Sequence, residues 1–341
     1  DDIGFSDVSC YGSEIATPNI DSLARRGVHF TQFYNNARCC PTRASLLTGL
    51  YAHQTGIGHM MDDYGRPSYR GDLNNQCVTI AEALRESGYR TAISGKWHVT
   101  PVGKGKHNWP LQRGFEKFYG IIHGCASFFD PVTLAEGNQD RKVSDPDYYF
   151  TDALTDKALG YIGDFASGPN PFFLYLPFTA PHYPLHAKEA DIRKYRGRYS
   201  AGWDVLRAER HKRMIKLGIA DRRWPLAPRE DRVPPWMDAP HKEWQLRRME
   251  VYAAMVDSLD QNIGRVLRKL RELRIEDNTL VLFLSDNGGE AQELRQSLGR
   301  RPIHVPEKTI DGRPVQEGND PNHMPGGPDT FQSVGSYWAN A

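Results

Sequence analysis

Residues 39–49, CCPTRASLLTG, bring a thiol, an arginine four positions later and a helix start into one short segment. Proline is favoured in the first helical turn, where its missing N–H would have had no partner. Pro41 therefore predicts a helix running through Leu47. Cys39 is then expected just ahead of the helix, where orphan backbone N–H groups and the positive end of the helix dipole favour anions and a thiolate. Arg43, one turn in, can point back to the same spot. Taken alone, a cysteine near a proline is more often a small buried residue beside a helix start, because free cysteine is among the most buried residue types.

Outward from this segment, the pattern alternates helices with apolar strands. Residues 18–26 read as a short helix closed by Gly27, followed by a strand over 28–33. Residues 79–87, TIAEALRES, read as a capped amphipathic helix ended by Gly88, with a strand over 89–94. The run FFLYL at 172–176 has the length and composition of a buried strand. Residues 243–273 carry apolar side chains at 249, 252, 256, 259, 263, 266, 267 and 270, one face of a long helix. TLVLFL at 279–284 reads as another buried strand. This alternation predicts an α/β fold with a mostly parallel sheet sandwiched by helices. In such sheets ligands bind beyond the carboxyl ends of the strands. Asp1-Asp2, Lys96 and His98, His182, and Asp286-Asn287 all follow an apolar strand or the place where one should end, so one rim is expected to collect them.

The 39–49 segment resembles the signature of the type I sulfatases, Cys-x-Pro-Ser/Thr-Arg followed by a hydrophobic pair, Thr and Gly. A second stretch, GYRTAISGKWH at 88–98, resembles another sulfatase signature in the expected order. The resemblance implies an arylsulfatase-like enzyme of the alkaline phosphatase superfamily, with Cys39 oxidised after translation to formylglycine by a maturation enzyme. Only Cys39, not Cys40, has proline two positions on and arginine four on. A serine attacking a sulfate ester would leave a second, equally resistant ester. The hydrated aldehyde offers one hydroxyl for attack on sulfur and another whose collapse expels sulfate, splitting one hard step into two easier ones.

The resemblance assigns Arg43 to hold the diol, Lys96 to bind sulfate, His98 to contact the diol hydroxyl and His182 to protonate the leaving oxygen. It assigns Asp1, Asp2, Asp286, Asn287 and residue 39 to a divalent cation. Asp1, Asp2, Asp286 and Asn287 supply only oxygen, which suits a hard ion: Ca²⁺ by resemblance, with Mg²⁺ left open by spacing alone. Expected substrates are sulfated small molecules or glycans. The plain alternatives are a turn at Ser285-Asp286-Asn287-Gly288, an exposed lysine and structural histidines. Competing functions are a phosphate mono- or diester hydrolase of the same superfamily and a non-catalytic protein or fragment keeping the fold.

At 341 residues the chain has room for one large α/β domain or two. With 43 basic against 42 acidic residues and a net charge of +1, nothing global points to nucleic acid. No apolar run approaches the length of a spanning helix, so no membrane partner is expected. Five cysteines show no paired framework. Residues 188–240, dense in Arg, Lys, Trp and Pro, read as an insertion over the sheet. Residues 288–341 read as a long loop of the kind that is usually functional or disordered. Against the family pattern, the chain opens directly on Asp1-Asp2 and offers only Lys308 beyond Asn287, in an unrelated context. The expectation is a sulfatase catalytic domain over 1–341 truncated at both ends, lacking a first strand, a further active-site lysine and the C-terminal subdomain. A periplasmic or secreted location is expected by resemblance.

Overall fold

The computed structural model describes residues 1–103 and 105–339. In chain order the main elements are α1 (Pro18–Arg26), α2 (Cys39–Thr48), α3 (Ala52–Thr55), α4 (Ile80–Glu86), β1 (Arg90–Lys96), β2 (Lys117–Ile121), β3 (Leu134–Glu136) and β4 (Gln139–Asp140). They are followed by α5 (Phe150–Ala166), β5 (Phe172–Tyr175), α6 (Glu189–Ile192), α7 (Gly202–Lys216), α8 (Lys242–Glu272), β6 (Gln316–Glu317), β7 (Thr330–Phe331) and α9 (Gly335–Ala339). Among the described residues no helix is long and apolar enough to cross a membrane.

The central sheet has the order β4-β3-β2-β1-β5. Its core, β2-β1-β5, is parallel, and β3 and β4 extend it antiparallel. Successive strand residues face opposite sides, so Ala92 packs into one cluster with Leu154, Phe165 and Leu259, and Ile93 into another with Leu47 and Ala81. α5 and α8 thus cover one face and α2 and α4 the other, as the alternating pattern predicts. Gly95 and Gly120 are register partners at left-handed φ of 146° and 154°. A Cβ on Gly120 would lie 1.9 Å from the Gly95 carbonyl oxygen, so this approach of β1 to β2, one residue before Lys96, requires glycine.

Local signals fix several elements closely. Thr79 caps α4, its hydroxyl accepting from the Glu82 N–H while Glu82 reaches back to the Thr79 N–H. α1, α8, β1 and β5 fall within a residue or two of their expected bounds. α2 differs: it begins at Cys39 rather than Pro41, with Arg38 as its extended N-cap, so the thiol lies in the first turn instead of ahead of it.

Two expected strands are absent. Residues 28–33 and 279–284 have no ladder partner among the described residues, and Val28 and Leu280 are 80% and 85% exposed. An apolar run becomes a strand only when a neighbour accepts its hydrogen bonds, and among the described residues β5 stands at the sheet edge with nothing paired beyond it.

The 188–240 stretch folds as α6, α7 and turns, anchored by the buried Arg210 to Asp7 at 2.5 Å and to Glu14 at 2.8 Å. Residues 288–339 are mostly irregular, with β6 paired to β7; the last two residues of the 288–341 loop lie outside the described set. His186 fastens this segment to the body. Its Nε2–H donates to the Thr330 carbonyl at 2.6 Å while Nδ1 accepts from the Phe128 N–H at 3.3 Å, which only the neutral ring satisfies. Burial pushes its pKa down from 6.5 to about 4. The unfolded chain therefore binds more protons than the folded one between those values, and stability falls as pH drops through that window. Denaturant unfolding of the protein should lose about 2–3 kcal/mol from His186 alone on acidification. His186→Gln should flatten this part of the pH profile; an unchanged acid limb would show that other groups govern it.

Candidate active site

The side chains of Asp1, Asp2, Cys39, Arg43, Lys96, His98, His182 and Asp286 are buried and lie at one rim of the sheet, with Asn287 half-buried beside them. Arg43 is held at one position by the first turns of α2. Its Nη2 lies 2.8 Å from Asp286 Oδ2 and 3.7 Å from Asp1 Oδ1, and its Nη1 donates to the Lys96 carbonyl at 3.0 Å. Lys96, the last residue of β1, is fully buried and donates from Nζ to Asp1 Oδ2 at 2.5 Å. Asn287 Nδ2 donates to Asp2 Oδ1 at 2.5 Å, and His182 Nε2 lies 3.5 Å from Asp2 Oδ2. His182 Nδ1 faces the Tyr183 carbonyl at 2.8 Å, which assigns the hydrogen to Nδ1 and aims Nε2 into the site.

Burial works against ionised Asp286, but the positive charge around it, Arg43 foremost, outweighs it and holds this carboxyl well below the usual range. Cys39, seen here as the unmodified thiol, is also held far below the ordinary thiol range. The Cys40 S–H bonding to it is the largest cause, and Lys96 and His98 add to it against burial. Burial pushes His98 down to about 4, so its ring is neutral at physiological pH. His98 takes a left-handed φ of 54°, so the extended run from Lys96 is broken there. Lys96 and His98 nevertheless both act on Cys39.

Three buried carboxylate oxygens, Asp1 Oδ1, Asp2 Oδ2 and Asp286 Oδ1, have no hydrogen-bond partner, and Asp286 Oδ2 is met by the ion pair with Arg43. Three clustered carboxylates, some of their oxygens without a donor, are unfavourable beside only two side-chain cations, Arg43 and Lys96. The donor set therefore fits a hard divalent cation.

Sequence reasoning missed the support beneath Asp2. Asp2 has a left-handed φ of 63°, and its carbonyl lies 3.3 Å from the Tyr252 hydroxyl, which donates to Asp7 Oδ2 at 2.6 Å. Asp7 is in turn paired with Arg210. Tyr252 was counted only as part of the apolar stripe of α8; a hydroxyl on a buried stripe needs a partner, and that was the available signal. Cys40, which tunes Cys39, carried no signal beyond adjacency.

The Sulfatase family model matches residues 1–327. An uncharacterized sulfatase of Schizosaccharomyces pombe is 39% identical over 320 residues, 86% of this chain and 57% of that protein. An arylsulfatase of Klebsiella aerogenes is 32% identical over 301 residues, covering 84% of this chain and 64% of its own. The chain thus spans less than two thirds of the length of these relatives. Among solved structures, Ps i-CgsB in complex with a neocarrahexaose superposes with a TM-score of 0.63 at 28% identity, over 85% of this chain and 57% of that one. Two motifs, one buried rim of matching residues and a family model spanning nearly the whole chain converge: the chain belongs to the sulfatase family.

Proposed function

We propose that this chain carries out hydrolysis of sulfate monoesters, of aryl or carbohydrate type, using formylglycine made from Cys39 by a maturation enzyme. The observation that supports it most is the set of orphan carboxylate oxygens of Asp1, Asp2 and Asp286 gathered with Arg43, Lys96 and Cys39. Asp1, Asp2, Asp286, Asn287 and residue 39 would hold Ca²⁺, with Mg²⁺ as the alternative. Such an ion supplies positive charge to the sulfate oxygens and the nucleophile when bound. The modified residue would supply one hydroxyl to attack sulfur and a second whose collapse frees sulfate.

The remaining roles fall to side chains already in place. Lys96 has its ammonium inside the cluster, where it neutralises a bound sulfate oxygen. Arg43 steadies charge developing on residue 39. His182, when its ring is protonated at the inward-facing Nε2 as well as at Nδ1, delivers the Nε2 proton to the leaving oxygen, a contribution of ~10²–10⁴ in rate. His98, neutral and beside residue 39, accepts the proton released as the second hydroxyl collapses. That Ps i-CgsB was crystallised with a neocarrahexaose supports a carbohydrate sulfate as substrate.

The test is coexpression with a formylglycine-generating enzyme, followed by mass analysis of the tryptic peptide 39–43 and assays with aryl sulfate, aryl phosphate and a sulfated oligosaccharide. An aldehyde at residue 39 together with preferred sulfate release is the expected result. Faster phosphate release, or full activity with an intact Cys39 thiol, would overturn the reading.

A further inference from the structure

Beyond the carboxylate cluster lies a second group of ligand-type side chains with different chemistry. His123 and Cys125 follow the carboxyl end of β2, and His304 comes from the irregular 288–339 segment. One donor atom from each lies within 4.8 Å of the other two. The imidazoles of His123 and His304 are stacked, with centroids 4.9 Å apart and planes at 24°. Each has a buried Nδ1 without a hydrogen-bond partner. Cys125 is buried in an apolar cluster with Val305, Val315 and Phe331, which keeps water away from the thiol. Two buried imidazole nitrogens without partners, next to a buried thiol, are costly as plain packing.

We propose that His123, Cys125 and His304 form a second metal site, of the zinc type, beside the sulfate pocket. One sulfur and two nitrogens are borderline-soft donors that match Zn²⁺ and not the hard ion of the carboxylate cluster. Tetrahedral Zn²⁺ sets its ligand atoms about 3.5 Å apart, and the three donor atoms already lie within 4.8 Å of one another. Three protein ligands leave a fourth position open, as in zinc sites that take water or a substrate group. The His98 and His123 rings are 5.9 Å apart, so the ion would add positive charge next to the sulfate pocket. It would also tie the 288–339 segment to the end of β2.

Binding converts the Cys125 thiol to a thiolate: the S–H bond breaks, the S–metal bond forms, and one proton leaves to solvent. An ordinary thiol, with a pKa of about 8.5, is mostly protonated at neutral pH, so that proton must be displaced by the metal. Affinity should accordingly rise about tenfold per pH unit in the neutral range.

The experiment titrates the whole polypeptide with Co²⁺ and then Zn²⁺ in excess Ca²⁺. A Cys39→Ala background removes one thiol from the separate Cys39, Cys40 and His98 cluster. One equivalent of Co²⁺ should give a sulfur-to-metal charge-transfer band that Cys125→Ser abolishes and Cys40→Ser leaves intact. In chelator competition, Cys125→Ser and His304→Ala should each weaken Zn²⁺ at least ~10²-fold. His304→Ala, made on an irregular segment, keeps the test informative if Cys125→Ser folds poorly. A band lost with Cys40→Ser instead would place the metal at the other cluster and overturn the proposal. So would the absence of any band at one equivalent.

Discussion

Cys39→Ala in the matured protein should lower kcat for sulfate release by about 10⁴–10⁶-fold, the scale seen when a covalent nucleophile is removed. KM should move little, because Lys96, Arg43 and the four other residues that would hold the cation facing the sulfate keep their places. Folding should also change little. Cys39 sits in the first turn of a helix where alanine is the best former, and its Sγ is the only heavy atom lost. Thermal unfolding within a few degrees of the parent, beside an activity near background, is therefore the expected pair of results. Cys39→Ser should be almost as inactive unless the host converts serine as well, since an unconverted serine offers no second hydroxyl to release the captured sulfur group. Cys40→Ala separates the two thiols. It removes the hydrogen bond that favours a Cys39 thiolate, and so affects how Cys39 ionises before conversion, but leaves the nucleophile in place. Comparable losses of turnover in matured Cys39→Ala and Cys40→Ala would show that the assignment of residue 39 as nucleophile is wrong.

Residues whose role follows from local chemistry were legible in the sequence, and those whose role follows from a distant neighbour were not. The Thr79-to-Glu82 capping box, the 18–26 helix and the stripe along α8 are written within one turn or a few, and the structure reproduces them. The rim was legible because each candidate lies just past an apolar run or the place where one should end: Lys96, His98 and His182 follow the paired strands β1 and β5, whereas Asp286 reaches the rim although 279–284 has no ladder partner among the described residues. The 28–33 and 279–284 segments have strand composition, but a strand is a property of a pair, and composition says nothing of whether the partner is there. Asp7, Tyr252 and Arg210 come from three separate regions and meet only in the fold. His123, Cys125 and His304 likewise have no motif spacing, so only coordinates bring them together.

Removing the Arg43 guanidinium should produce a loss of stability that depends on the cation. Arg43 pairs with Asp286 at 2.8 Å and Asp1 at 3.7 Å, all three side chains being almost wholly buried. Arg43→Ala leaves those carboxylates with Lys96 as the nearest side-chain cation, and stripping one partner from a buried ion pair costs about 3–5 kcal/mol. Ca²⁺ supplies two positive charges at the same oxygens. Thermal unfolding of Arg43→Ala should therefore be depressed strongly in chelator and substantially restored at saturating Ca²⁺, by about 2.7 kcal/mol at a hundredfold excess over Kd. Turnover should stay down by ~10²–10³ even with Ca²⁺, because the ion replaces the counter-charge at the carboxylates but not the guanidinium charge felt at residue 39. The pH sign agrees. Asp286 has its folded pKa depressed below the ordinary 3.8, so its contribution is present above that value and is lost only as pH falls through the lower folded value. In Arg43→Ala without Ca²⁺ the depression shrinks and the acid limb should move toward neutral pH. A melting temperature lowered equally with and without Ca²⁺ would mean that Arg43 serves packing alone and that the carboxylates do not hold an ion.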